Sequence, residues 1–242
     1  MASGSTSERQ CWLPLENDTD LLNSYMHNIG FDTSLYKLTY VFELSRIPQP
    51  VAAVILLYPL TDVQKEHHKR EQVPVAPDDM WFVKERIGNA CGTIALLHAI
   101  FNAPEGLRSA TIRPDSWLHS FYQDCPLFLP TSAKAAKLEG DSTIKTLHNE
   151  AATDASNQSS PYSGETISHY VALVHVNGGL YELDGCKKGP LRHGDTSQET
   201  LLEDACKVVK KFKDRDPHEM RFTVMALAPN SQQYPCLESR ND

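Results

Sequence analysis

The stretch from His169 to Asp184, HYVALVHVNGGLYELD, constrains the fold more than any other part of the chain. Tyr170–Val176 is a continuous apolar and β-branched run of strand length, the pattern of a strand covered on both faces. Asn177-Gly178 is a dipeptide favoured in two-residue hairpin turns, where both central positions need positive φ. Leu180–Asp184 then reads as the returning strand. A two-residue loop sets Val176 opposite Gly179, and counting back from there sets Asp184 opposite Val171. His169 is two residues from Val171, so its side chain shares a face with that of Asp184 as a diagonal neighbour. A three-residue loop alters this register. His175 lies on the same face, nearer the turn, and is the rival histidine.

The rest of the chain supplies elements for that hairpin to pack against. Val51–Tyr58 is a second fully covered strand, and Tyr36–Glu43 and Phe222–Ala228 also read as strands. Thr19 or Asp18 caps a helix running to about Ile29, with Leu22, Tyr25, Met26 and Ile29 as its stripe and Gly30 as its stop. Cys91–Asn102 has helical length and is apolar almost all round, which predicts a buried helix. Asp62–Glu71 is charged and reads as a solvated helix or loop. Asp115–Tyr122 and Ser132–Leu138 read as short helices. Glu199–Phe212 reads as an amphipathic helix with Leu202, Cys206, Val209 and Phe212 inward. Glu150–Thr166, rich in Asn, Ser, Thr, Asp and Ala, predicts a mobile loop, and 1–10 and 231–242 predict flexible tails. One helix-rich segment with four or five strands predicts a single α/β or α+β domain over 1–242.

Several function classes are disfavoured by composition. The longest apolar run, Val51–Leu60, falls short of the ~20 residues that cross a bilayer, and the first ten residues carry no secretory signal. A net charge of −8 is the wrong sign for nucleic acid. His67-His68 diverge on either a strand or a helix, no finger-type ligand spacing occurs, and no glycine-rich phosphate loop is present. The expectation is therefore a monomer with no cofactor and no metal. Cys11, Cys91, Cys125, Cys186, Cys206 and Cys236 are widely spaced and lack a Cys-x-x-Cys pair. They read as reduced thiols in the cytoplasm or nucleus.

Nucleophilic thiol chemistry needs a thiolate, a histidine to hold its proton and a group to orient that histidine. Cys91, in Gly88-Asn89-Ala90-Cys91-Gly92, stands just before the buried apolar helix, where the dipole favours a thiolate. Gly92 permits close approach of another chain. His169 and Asp184 complete the set. Spacing alone leaves other readings open, since helix-start cysteines and strand histidines are commonly structural.

Four segments carry a resemblance to a known family. Trp12-Leu13-Pro14-Leu15-Glu16 resembles an opening motif, and Leu57-Tyr58-Pro59-Leu60-Thr61 resembles a strand end. IGNACGTIALLHAI, from Ile87 to Ile100, resembles a nucleophile motif, and HYVALVHVNGGLYELDG resembles a histidine-aspartate pair of strands. In that order and spacing they resemble the ubiquitin carboxyl-terminal hydrolases, small deubiquitinating cysteine proteases. The resemblance implies a papain-like core, with a central antiparallel sheet flanked by helices. It also implies a knotted backbone, which general topology rules disfavour, and a crossover loop matching Glu150–Thr166. It implies Cys91 as nucleophile, His169 as general base and acid, and Asp184 as the group that orients His169. The implied partner is ubiquitin or a ubiquitin-like protein, with Leu15, Glu16 and Asn89 as substrate-binding positions. At one position the chain departs from the pattern. Glu85 stands where the family places the oxyanion-hole Gln, and an ionised carboxylate has no hydrogen to donate. Two readings follow: a working deubiquitinating hydrolase, and a weak or inactive ubiquitin-binding homologue.

Overall fold

The computed structural model describes residues 10–71, 79–153 and 167–230. Helix α1 (Thr19–Ile29) is followed by β1 (Tyr36–Tyr40), β2 (Ala53–Pro59) and α2 (Asp62–Arg70). Five helices come next: α3 (Cys91–Phe101), α4 (Glu105–Thr111), α5 (Trp117–Asp124), α6 (Thr131–Gly140) and α7 (Ser142–Thr153). The chain ends with β3 (Ser168–Val176), β4 (Gly179–Leu183), β5 (Leu191–Asp195), α8 (Leu201–Arg215) and β6 (Thr223–Pro229).

The six described strands form one antiparallel sheet in the order β1-β6-β2-β3-β4-β5. The last strand is inserted between the first two. Strand periodicity divides the interior into two cores. Ala53, Ile55 and Leu57 of β2, with Tyr170, Ala172 and Val174 of β3, point to one face, where α1, α3, α5, α6 and α7 pack. Val54, Leu56 and Tyr58, with Val171 and Leu173, point to the other, which is covered by Leu201, Leu202, Ala205, Val208, Val209 and Phe212 of α8. Each large apolar side chain buried in this way contributes about 1.5–3 kcal/mol. The double covering explains why β2 and β3 read as unbroken apolar runs rather than alternating ones.

The hairpin has the predicted register. Val176 pairs with Gly179 and Ala172 with Leu183. Asn177 and Gly178 take φ of 46° and 77°, the two positive values that a primed turn needs. The strand ends one residue sooner than expected, at Leu183, so Asp184 begins the following turn.

Other boundaries differ from expectation. β1 ends at Tyr40 rather than Glu43, although Val41 N still donates to Val224 O. β5, α4 and α7 had no counterpart in the sequence reading. Residues 150–153 close helix α7 instead of opening a loop, while 154–166 and the terminal stretches 1–9 and 231–242 lie outside the described residues. The inward face of α8 uses Ala205 and Val208, with Cys206 only partly covered. Among the described residues no helix is long and apolar enough to cross a membrane.

The end of α1 shows how tightly the larger core is closed. Asp18 Oδ1 accepts from Asp20 N and Leu21 N at 2.8 and 2.9 Å, capping the helix start. Gly30 ends it at φ 118°, and a Cβ there would lie 2.2 Å from Ser116 Oγ. Gly30→Ala is expected to cost about 2–4 kcal/mol from backbone strain plus overpacking, read from urea unfolding midpoints. A cost under about 0.5 kcal/mol would show that α5 yields at this contact.

Candidate active site

Three elements meet at one end of the sheet. Helix α3 begins at Cys91, whose side chain is half-buried. The α3 start carries no side-chain cap, which leaves first-turn N–H groups without an intrahelical partner. Strand β3 contributes His169, 4% exposed, and the turn after β4 contributes Asp184, fully buried. His169 Nε2 and Asp184 Oδ1 are 2.8 Å apart, so the diagonal relation expected from the hairpin is the one observed. The Cys91 thiol lies near enough to His169 to help raise its pKa. With Nε2 engaged by Asp184, Nδ1 is the ring nitrogen left to face it.

The electrostatics follow from burial and pairing. Burial pushes the His169 pKa down, but the charge and hydrogen bond of Asp184, and then Cys91, raise it well above the usual imidazole value. Burial pushes Asp184 up, yet His169 and the Cys186 N–H hold it below the usual carboxylate value. Cys186 N donates to Asp184 Oδ1 at 2.8 Å. His175, the rival, sits near the turn, where Gly178 N lies 3.1 Å from its Nε2.

A buried ion cluster holds the turn that carries Asp184. Lys187 N donates to Asp184 O at 3.0 Å. The Lys187 ammonium reaches Glu182 Oε1 at 2.6 Å and also pairs with Glu71, while His193 Nε2 lies 2.7 Å from Glu182 Oε2. Burial alone would raise the Glu182 pKa; Lys187 and His193 overcome this and lower it. Lys187→Met leaves a buried carboxylate with half its partners, an expected loss of about 3–5 kcal/mol at pH 7. Because the folded pKa is depressed, the native contribution is present above the unfolded Glu value and is lost as pH falls through the folded one. The deficit should therefore narrow on acidification, checked by urea unfolding at pH 7 and pH 4. A constant deficit would mean that lost packing, not charge, is responsible.

Residues 12–214 match the family model described as ubiquitin carboxyl-terminal hydrolase, family 1. The chain belongs to the ubiquitin carboxyl-terminal hydrolase family. It is 36% identical to ubiquitin carboxyl-terminal hydrolase 3 of Arabidopsis thaliana, over 94% of this chain and 97% of the relative. It is 38% identical to a ubiquitin carboxyl-terminal hydrolase of Aplysia californica, over 87% and 99%. Among solved structures, it superposes on the UCH37 catalytic domain of Trichinella spiralis bound to ubiquitin vinyl methyl ester. That match has a TM-score of 0.73 and 25% identity, and covers 90% of this chain and 95% of that one.

Within this member of the hydrolase family, the opening motif is an internal anchor. Leu13 O lies 2.6 Å from His148 Nε2, His148 Nδ1 lies 2.7 Å from Thr93 Oγ1, and Thr93 Oγ1 lies 2.8 Å from Tyr25 OH. Burial lowers the His148 pKa to about 4 against the pull of Leu13 O, which keeps this chain neutral. Leu15 is buried, and a Cβ on Gly92 would come within 3.0 Å of it. The close approach that Gly92 permits is used by Leu15, which packs over the first turn of α3. Glu16 is half-buried, and its carbonyl accepts from Tyr170 OH at 3.0 Å.

Asn89 holds the same opening segment. Its amide nitrogen donates to Trp12 O at 3.0 Å and to Cys11 Sγ at 3.4 Å. That fastens the opening segment beside the start of α3. Glu85 is also at the site. Its N donates to Gly185 O at 2.9 Å, and its carboxylate accepts from Cys186 Sγ at 3.4 Å.

Two groups beside His169 and Asp184 escaped the sequence reading. His68 accepts or donates at Tyr58 OH, 2.9 Å away, and its Nδ1 stands 4.0 Å from Asp184 Oδ2. Cys186 is the other. Its place directly after Asp184-Gly185 was the available signal.

Proposed function

We propose that this chain is a thiol-dependent deubiquitinating hydrolase that cleaves amide, ester or peptide bonds at the C-terminal glycine of ubiquitin or a ubiquitin-like protein. The convergence of Cys91, His169 and Asp184, with the 2.8 Å bond between the last two, carries this reading. His169 takes the Cys91 proton at Nδ1, and the sulfur attacks the glycine carbonyl carbon. The tetrahedral intermediate collapses as His169 protonates the leaving amine. Water, activated by the same imidazole, then cleaves the thioester and restores the thiol. Asp184 fixes the ring through Nε2 and stabilises the imidazolium. Leu15, Glu16 and Asn89 are the positions proposed to contact ubiquitin, with Glu16 meeting its basic tail.

The five described cysteines are all free, which suits a reducing compartment, cytoplasm or nucleus. The test is release of fluorophore from a ubiquitin C-terminal amide. Tight binding of ubiquitin without release would instead favour the weak or inactive homologue.

Glu85 is the observation that favours the second reading. A carboxylate at the oxyanion position offers no donor and repels developing negative charge. Losing one such donor costs about 10²–10³ in rate. Glu85→Gln is therefore expected to raise kcat at pH 7 by up to about 10²-fold, with ubiquitin affinity little changed. Equal rates for the two proteins across pH 5 to 8 would show that residue 85 does not act on the oxyanion.

A further inference from the structure

Glu85, His169 and Cys186 converge from three separate segments, with Glu85 and Cys186 101 residues apart in the chain. A carboxylate oxygen, an imidazole nitrogen and Sγ from these three lie within 4.8 Å of one another. We propose that they form an inhibitory site for a zinc-type divalent cation, whose binding takes the His169 nitrogen that serves Cys91. The three ligands lie far apart in the chain, so no local spacing marks them.

The donor set suits the ion. Zinc takes thiolate, imidazole and carboxylate at about 2.0–2.3 Å in tetrahedral geometry, which separates neighbouring donor atoms by about 3.3–3.7 Å. The Cys186 Sγ to Glu85 Oε2 distance, 3.4 Å, already falls in that range. The remaining approach asks for donor separations to shorten by at most about 1.5 Å. Cys186 and Glu85 are not sealed in the core, so an ion has access and the side chains have room to adjust. Asp184 on His169 Nε2 supplies the carboxylate–histidine–metal relay that orients a metal-bound imidazole and strengthens it as a ligand. Nδ1 is then the ligating atom. As the Zn–S bond forms, the Cys186 thiol proton passes to solvent, and water fills the fourth position. With Nδ1 occupied, His169 can accept no proton from Cys91.

Binding is measured without turnover, so this proposal stands or falls separately from the hydrolase reading. Co²⁺ is titrated into the purified chain and displaced with Zn²⁺. Wild type should take up one equivalent with a sulfur-to-cobalt charge-transfer band and tetrahedral d–d bands. Cys186→Ser should lose the charge-transfer band and bind Zn²⁺ at least about 10-fold more weakly. Cys91→Ala should keep the band through Cys186. In fluorogenic assays, each protein normalised to its own metal-free rate, the Zn²⁺ concentration for half inhibition should rise at least about 10-fold in Cys186→Ser. A wild type with no band, a band that survives in Cys186→Ser but not in Cys91→Ala, or equal inhibition of both proteins would overturn the proposal.

Discussion

Replacing Cys91 by alanine is expected to lower turnover of a ubiquitin-amide substrate by about 10⁴-fold or more, with the fold and ubiquitin affinity retained. The thiol is half-buried at the first residue of α3, so removing it opens no core cavity. Three other described thiols are held back from replacing it. Cys125 is buried, and its pKa is raised to about 11. Burial also raises the Cys206 thiol. Cys186 is the serious rival, because it too lies near His169. Burial, and then the neighbouring Glu85 and Asp184 charges, push its pKa up, and its hydrogen is given to Glu85. A group held as thiol is a poor nucleophile. Cys186→Ala should accordingly keep turnover within about tenfold of wild type. Turnover retained by Cys91→Ala and lost in Cys186→Ala would exchange the two roles.

The second large effect is expected from Asp184→Asn, a loss of about 10⁴-fold in kcat. Asparagine keeps the shape but removes the charge that overcomes burial at His169. The His169 pKa should then fall towards or below its usual value, followed by the NMR shift of its ring protons with pH. In wild type that pKa is raised on folding, so the pair contributes stability below the unfolded imidazole value and loses it as pH rises through the folded one. Asp184→Asn should flatten this part of the stability profile. His169→Ala should match the kinetic loss, whereas His175→Ala should retain most activity. The reverse ranking of the two histidines would contradict the register shown by Val176 and Gly179.

The site was legible to the extent that it depends on local rules. Asn177-Gly178 admits one favoured turn, the turn sets the register, and the register brings His169 to Asp184. Cys91 was legible because an apolar helix starts there. What the sequence hid is long-range. β5, Leu191–Asp195, is a partly exposed edge with no alternation to reveal it. α7 buries only Ile144 and His148 fully, too few to mark a helix face. The insertion of β6 between β1 and β2 is a tertiary choice that no window of sequence contains. Leu15 and Asn89 were read as facing a partner because of where they sit in a familiar motif. Their internal contacts, Leu15 over Gly92 and Asn89 on Trp12, had no signal in the sequence. The meeting of Glu85 with Cys186 had no local signature at all.

The most direct measurement is peptide mapping by mass spectrometry after the chain reacts with ubiquitin vinyl methyl ester. One adduct per chain is expected, carried by the peptide containing Cys91, absent from Cys91→Ser and greatly slowed in His169→Ala. An adduct on Cys186 or Cys125, or one that still forms in Cys91→Ser, would contradict it.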